Sequence, residues 1–440
     1  MVKKNHATLV IGAGIAGIQA ALDLGDMGIQ VYLIEKRPCI GGRMAQLDKT
    51  FPTNDCSICI LAPKLSEAVR HPNIELYTLS EVVGLEGEPG NFTVKILKHP
   101  RYIKEDACIN CGLCIDKCPV RVDDDFNVGL IKRKAIYLDY LQGIPAKMAI
   151  DDHYCIYLTR GKCGVCQKAC PKGAIDFDQK EKTFDLSIGA VIVATGYDPF
   201  DPTLLHNFGY GRIKNVITAI EMERFECASG PTNGDLVRPS DGEPPKKLAF
   251  IQCVGSRNKN YNNYCSTICC MYSTKEAMVA YEHNNQLEIK IFYIDIRAGG
   301  KHFQEYQRRG EEEYNITYIM GKVGKIQEDK DQNLNVIYEL IKTGEVISEK
   351  FDMVVLATSI IPKQDADKVA NTLGIERDKY NFIKTLPNAP MITTREGVYA
   401  CGCCHGPMDI PNSVIEASGA AALASEVLRS SRRFTSRDDK

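Results

Sequence analysis

The sequence predicts an α/β fold in which two nucleotide-binding-type domains are joined and the first is interrupted by a small cysteine-rich α+β domain. Three observations predict it: a glycine-rich turn between strand and helix in the first forty residues, two similar four-cysteine runs in mid-chain, and a second strand–turn–helix–strand unit beyond a Pro- and Gly-rich linker.

At 440 residues and 44% hydrophobic content, the chain exceeds what one core usually serves, so two or three domains are expected. Its charges balance to −2 with no long block of one sign, which removes the footprint that nucleic acid or an anionic membrane would need. Met1 to Ala7 carries no leader-like segment and no stretch is apolar enough to span a bilayer, so a cytoplasmic location is expected. In a reducing compartment, 19 cysteines are metal or redox sites before they are a disulfide framework.

Ala7 to Ile11 reads as a buried strand, followed by Gly12-Ala-Gly14-Ile-Ala-Gly17, a helix to about Gly28 and a second strand, Gln30 to Ile34, ending in Glu35. The glycines allow a tight turn, a close approach to a pyrophosphate and helix–strand contact, while Glu35 would take the ribose hydroxyls. Gly41-Gly42-Arg43 and the strand and turn Ala190 to Thr195-Gly196 resemble the two-dinucleotide, thioredoxin-reductase-like flavoproteins, which favours FAD over NAD.

Cys108-x2-Cys111-x2-Cys114-x3-Cys118-Pro119 has the spacing of a bacterial ferredoxin run. Cys155-x7-Cys163-x2-Cys166-x3-Cys170-Pro171 repeats its closing half. By the crossed rule of two-cluster ferredoxins, Cys108, Cys111, Cys114 and Cys170 hold one [4Fe–4S] cluster and Cys118, Cys155, Cys163 and Cys166 the other. Zinc knuckles are the competing reading; the two closing prolines and the internal repeat favour clusters. Strands at Phe92 to Leu97 and Thr183 to Leu186 flank the run, so the 2[4Fe–4S] module is an insertion in the flavin domain.

Beyond the linker Ser229 to Lys247, a strand at Leu248 to Gln252, a helix from about Thr267 to His283 and a strand at Glu288 to Ile296 stand where an NAD(P)H domain would. Only Gly255 remains of its phosphate-cradling glycines, and thiols Cys253, Cys265, Cys269 and Cys270 stand there instead. Residues and spacing leave a metal site and inert buried thiols equally open.

The run Gln252 to Arg257, with Tyr264-Cys265 and Ile268-Cys269-Cys270, is similar to the A subunit of heterodisulfide reductase, as are Gly41 to Gln46, Phe51 to Cys56, Gly230 to Thr232 and Pro239 to Gly242. The resemblance runs from Ala7 to about Leu428. It implies a third [4Fe–4S] cluster on Cys253, Cys265, Cys269 and Cys270, and a catalytic role for Lys275 near the flavin N5, where without it a solvated helix lysine would be the plainer reading. Gly397 to Cys404 resembles the last flavin-contact segment, placing Gly402 at the cofactor with Cys403 in place of the usual acid. The resemblance also implies an FAD-dependent iron–sulfur oxidoreductase that bifurcates or confurcates electrons. Its partners would be B- and C-subunit-like proteins, ferredoxin, and an input protein of the hydrogenase or dehydrogenase kind, in a homodimer of a heteromeric complex. Longer members carry an extra N-terminal domain and a C-terminal ferredoxin domain, so this chain reads as a short form.

The expected organisation is FAD-binding at 1–101, 179–228 and 363–428, the ferredoxin-like insert at 102–178, a linker at 229–247, the degenerate NAD(P)-type domain at 248–362 and a flexible tail at 429–440. Cys56-x2-Cys59 is a redox dithiol, a pair of ligands for a further cluster shared with Cys401, Cys403 and Cys404, or two buried thiols. An NAD(P)H-dependent iron–sulfur reductase, a thiol enzyme and a non-bifurcating electron relay are the rival functions.

Overall fold

The structure, a computed structural model, describes residues 6–435, and the side chains of 6–428. Strand β1 (Ala7–Ile11) is apolar and buried throughout, as a central parallel strand must be. It passes into helix α1 (Ile15–Asp26) and then strand β2 (Gln30–Ile34), within a residue or two of the predicted limits. β1 runs parallel to β2 on one side and to Ala190–Val193 on the other. Ile74–Tyr77 and Val398–Ala400 extend this parallel core, and two antiparallel strands, Ala389–Thr393 and Thr385–Leu386, finish a seven-stranded sheet.

Asn91–Lys98 pairs with Lys182–Ile188 so that Lys98 faces Lys182. The insertion therefore leaves and re-enters the host at adjacent positions, and the host sheet is not interrupted. Within it, the short helices Leu113–Lys117 and Val165–Ala169 each start at a glycine in the left-handed region, Gly112 and Gly164, and end at Cys118 and Cys170. Buried Arg101 ties the insert to its host: it donates to the Pro38 carbonyl at 2.7 Å and Thr78 Oγ1 at 2.6 Å on the host side and to the Lys147 carbonyl of the insert at 3.3 Å.

The second seven-stranded sheet has the order Val216–Thr218, Met353–Thr358, Lys247–Val254, Glu288–Tyr293, Ile316–Glu328, Leu334–Leu340, Val346–Phe351. Its first strand and helix α2 (Ala219–Glu226) come from before the linker, whereas the sequence places the start of this domain at Leu248. Helix α3 (Cys269–His283) packs on this sheet, and helix α4 (Ile410–Thr435) packs on α1. The backbone expected as a flexible tail thus stays helical to Thr435; the side chains of Arg429 to Arg437 and residues 1–5 lie outside those described. Among the described residues no helix is long and apolar enough to cross a membrane.

Candidate flavin cavity and cysteine sites

A cavity of about 1100 Å³ opens between the two sheets, lined by Gly12, Gly14, Glu35, Gly42, Arg43, Thr195, Gly196 and Lys275. The Gly12–Gly17 turn has the close approach a dinucleotide needs: a Cβ on Gly42 would stand 2.8 Å from the Gly14 Cα. α1 starts at Gly14 with no side-chain cap, leaving its first N–H groups to an anion. Glu35 stands beneath that turn, its two oxygens accepting the Ala13 N–H at 2.9 Å and the Arg37 N–H at 2.8 Å. Burial pushes its carboxyl above the usual carboxylate range, against the pull of those N–H groups and of the Arg37 and Lys363 charges. These residues fit an FAD.

Two of the expected contacts are placed otherwise. Gly17 is off the cavity wall and packs against the turn itself, where a Cβ would meet the Gly12 carbonyl oxygen at 1.8 Å. Gly402 is also off the wall; its N–H is given to Glu416 at 3.1 Å, and its neighbours Cys401 and Cys403 face the cavity instead.

Lys275 is buried on α3, not solvated. It pairs with Glu223 of α2, whose second oxygen accepts the Asp48 N–H at 3.0 Å. Burial pushes the Lys275 ammonium down, but the carboxylates of Glu223, Glu276 and Glu226 outweigh it and hold the group up at about 12. Burial drives Glu226 and Glu276 well above the carboxylate range, and both Glu226 oxygens and Glu276 Oε2 are unpartnered and buried. α3 is buried through Cys269–Met271 and again through Ser273–Ala280, so its Lys275-Glu276 pair has no solvent side to occupy.

The insert also supplies part of this wall, with Phe126, Tyr137 and Asp139. Arg37 clamps Asp139 through two hydrogen bonds at 3.1 and 2.8 Å. No sequence motif marks these residues; they reach the cavity because the insert packs on the segment after β2, where Ile40 bridges Ile144 and Arg37 holds Asp139.

Two small cavities in the insert are ringed by thiols, one by Cys108, Cys111, Cys114 and Cys170, the other by Cys118, Cys155, Cys163 and Cys166. Among the described residues no three His, Cys, Asp or Glu side chains converge tightly enough for a single ion. Thiolates standing apart around a cavity are the donor set a cubane takes. Replacing Cys170 with alanine is expected to remove roughly four irons per chain and the same electron-paramagnetic signal as replacing Cys108, with Cys118→Ala removing the other; matching spectra for the Cys108 and Cys118 variants would contradict the crossed pairing.

In the second domain, the Cys253 and Cys270 thiols both reach Cys269 at the start of α3, while Cys265 stands in the preceding loop and accepts the Thr267 N–H at 3.4 Å. The hydrogen bond from Cys269, the Arg297 N–H and the charges of Arg257 and Arg297 hold the Cys270 thiol down at about 7, the environment a thiolate ligand needs. Nearby, a Cβ on Gly255 would collide with the Phe200 ring at 2.3 Å, so an aromatic fills the place beside the remaining glycine of the turn. Cys56 and Cys59 are joined in a disulfide, which leaves them bonded to one another and not free as ligands of a further cluster.

Residues 8–55 match the FAD dependent oxidoreductase family and 101–122 the 4Fe-4S binding domain. The fold is that of thioredoxin reductase: the Lactococcus lactis enzyme superposes with a TM-score of 0.53 at 18% identity, covering 97% of this chain and all of that one. In sequence, the chain is 50% identical over 96% of its length to the second iron–sulfur A subunit of CoB--CoM heterodisulfide reductase from Methanopyrus kandleri. It is 46% identical, again over 96%, to the A subunit of the H(2):CoB-CoM heterodisulfide,ferredoxin reductase of Methanothermobacter thermautotrophicus. It spans 64% of the length of each. Over the length it shares with them, the chain belongs to the heterodisulfide reductase A-subunit family of iron–sulfur flavoproteins.

Proposed function

We propose that this chain is the flavin- and cluster-bearing electron-transfer component of a larger anaerobic oxidoreductase, bifurcating or confurcating electrons at its FAD. The observation that carries the reading is the buried Lys275–Glu223 pair on the wall of a dinucleotide-sized cavity, next to which the thiols of Cys253, Cys269 and Cys270 gather. FAD supplies the exchange between electron pairs and single electrons, and iron–sulfur clusters carry the singles. The chain's own part is position and charge. Gly12, Gly14 and the open start of α1 hold the pyrophosphate, Glu35 the ribose, and Thr195, Gly196 and Arg43 line the path toward Lys275. Lys275 keeps a fixed positive charge at the cavity wall, which favours a reduced, anionic ring. The cysteine sets of the insert and of the second domain would hold three clusters, two and one.

The partners this reading requires are B- and C-subunit-like proteins, ferredoxin, and an input protein of the hydrogenase or dehydrogenase kind. Phe200 packed on Gly255, with Cys253 at the end of the strand Lys247–Val254, favours it over an NAD(P)H-dependent reductase. An anaerobic redox titration of the cluster-loaded protein tests it. The two one-electron potentials of the flavin are expected in reversed order, the second electron leaving at far lower potential than the first; ordinary order would make the chain a relay.

A further inference from the structure

We propose that Lys134 and Lys147 are positioning residues of the insert, each fixing a positive charge beside one of its two clusters and raising the reduction potential of that cluster. The proposal rests on the cluster reading above, which the two thiol-ringed cavities support.

The two lysines hold equivalent places. The strands Ile136–Tyr137 and Ala149–Ile150 run antiparallel, with Ile136 opposite Ile150 and Tyr137 opposite Ala149. Lys134 and Lys147 each stand two residues before the start of one strand, so they lie at opposite ends of the pair. Each reaches a different thiol ring. Lys134 Nζ donates to the Cys118 carbonyl at 2.7 Å, and Lys147 Nζ donates to the Cys108 carbonyl at 2.6 Å. The next residue along the chain lines the matching cavity: Ala135 that of Cys118, Cys155, Cys163 and Cys166, and Met148 that of Cys108, Cys111, Cys114 and Cys170. An arginine holds each lysine at its backbone. Arg133 donates to the Lys134 carbonyl at 3.2 Å and Arg101 to the Lys147 carbonyl at 3.3 Å.

These two charges are not neutralised locally. The neighbouring Lys132 and Arg133 pair with Asp123 and Asp151, whereas among the described residues neither Lys134 nor Lys147 has a carboxylate within ion-pair distance. Both side chains belong to half-buried residues, where solvent and salt screen a charge less than at the open surface. A cluster gains a negative charge on reduction, so an ammonium held at the backbone of a ligand favours the reduced form. Tyr137 and Asp139, on the same segment, are wall of the flavin cavity, so one short stretch of chain sets the surroundings of all three cavities.

The test is an anaerobic redox titration of the cluster-loaded protein followed by electron-paramagnetic resonance, each signal being assigned by its loss in the Cys108 or Cys118 variant. In Lys147→Met the potential of the cluster that depends on Cys108 is expected to fall, with the other moving less. Lys134→Met is expected to do the reverse, and Lys147→Arg and Lys134→Arg to stay near the parent potentials, all at parent iron content. An unchanged potential in either Met variant, or an equal shift of both clusters, would overturn the inference. If a Met variant loses iron, the Gln variant, which keeps a donor without the charge, is read in its place. A parent-like potential there, or iron loss there too, makes the lysine a prop for its loop and also overturns the inference. A parent protein with fewer than two cluster signals would overturn the cluster reading instead.

Discussion

Replacing Lys275 with methionine is expected to destabilise the protein at neutral pH by about 3–5 kcal/mol, the cost of leaving one partner of a buried ion pair without the other. Glu223 is 3% exposed, and once the lysine is gone it keeps the Asp48 N–H on its second oxygen and the hydrogen bond it shares with Glu276. Pairing the change with Glu223→Gln should recover most of the loss, a coupling that a merely steric defect would not show.

The unsubstituted protein carries its own pH signature from the same nest. Glu226 and Glu276 have folded-state values raised above 4.5, so the folded protein binds more protons than the unfolded chain above that pH. Their contribution is fully present below 4.5 and is lost as pH rises toward their folded values, at up to about 1.4 kcal/mol per pH unit for each group. Lys275, held up at about 12, loses its contribution only above 10.5, outside that window. Unfolding midpoints of parent and variant between pH 5 and 8 check both statements, and a flat profile in the parent would remove the buried neutral acids from the account.

Gly17→Ala should be strongly damaging, because the added methyl has no room. Its Cβ would stand 1.8 Å from the Gly12 carbonyl oxygen and 3.4 Å from the Ala194 Cβ. The first contact is backbone on both sides, so no side chain can turn away. α1 has to lift from β1, and the turn that forms the pyrophosphate cradle opens with it. A loss of about 3 kcal/mol or more, with protein purified free of flavin colour, is the expected result. Gly28→Ala is the control: its φ is +73° but nothing lies within 4 Å of the added Cβ, so it should cost about 1 kcal/mol and keep its flavin. Full flavin occupancy in the Gly17 variant would mean that the helix–strand contact does not set the cradle.

The parts legible in the sequence are those written in local spacing. β1, the glycine turn, α1 and β2 lie within a few residues of their predicted ends, because a buried strand, a turn that needs glycine and an amphipathic helix each leave a pattern over a dozen residues. The two four-cysteine runs are marked by short gaps and a closing proline in the same way. Glu223 was invisible, since it lies 52 residues from Lys275 on a different helix and nothing in either neighbourhood names the other.

Residue order was enough for the two βαβ cores, the insertion point between paired strands and the thiol sets of the ferredoxin-like module. Packing in three dimensions brought Val216–Thr218 into the second sheet, set Phe126, Tyr137 and Asp139 of the insert in the wall of the flavin cavity, turned the Gly402 N–H to Glu416, and placed the bonded Cys56 and Cys59 beside Lys49. Most of these are contacts between segments far apart in the chain. Periodicity and spacing record what a residue requires of its near neighbours, while which distant segments meet is set by how whole layers bury their apolar faces together.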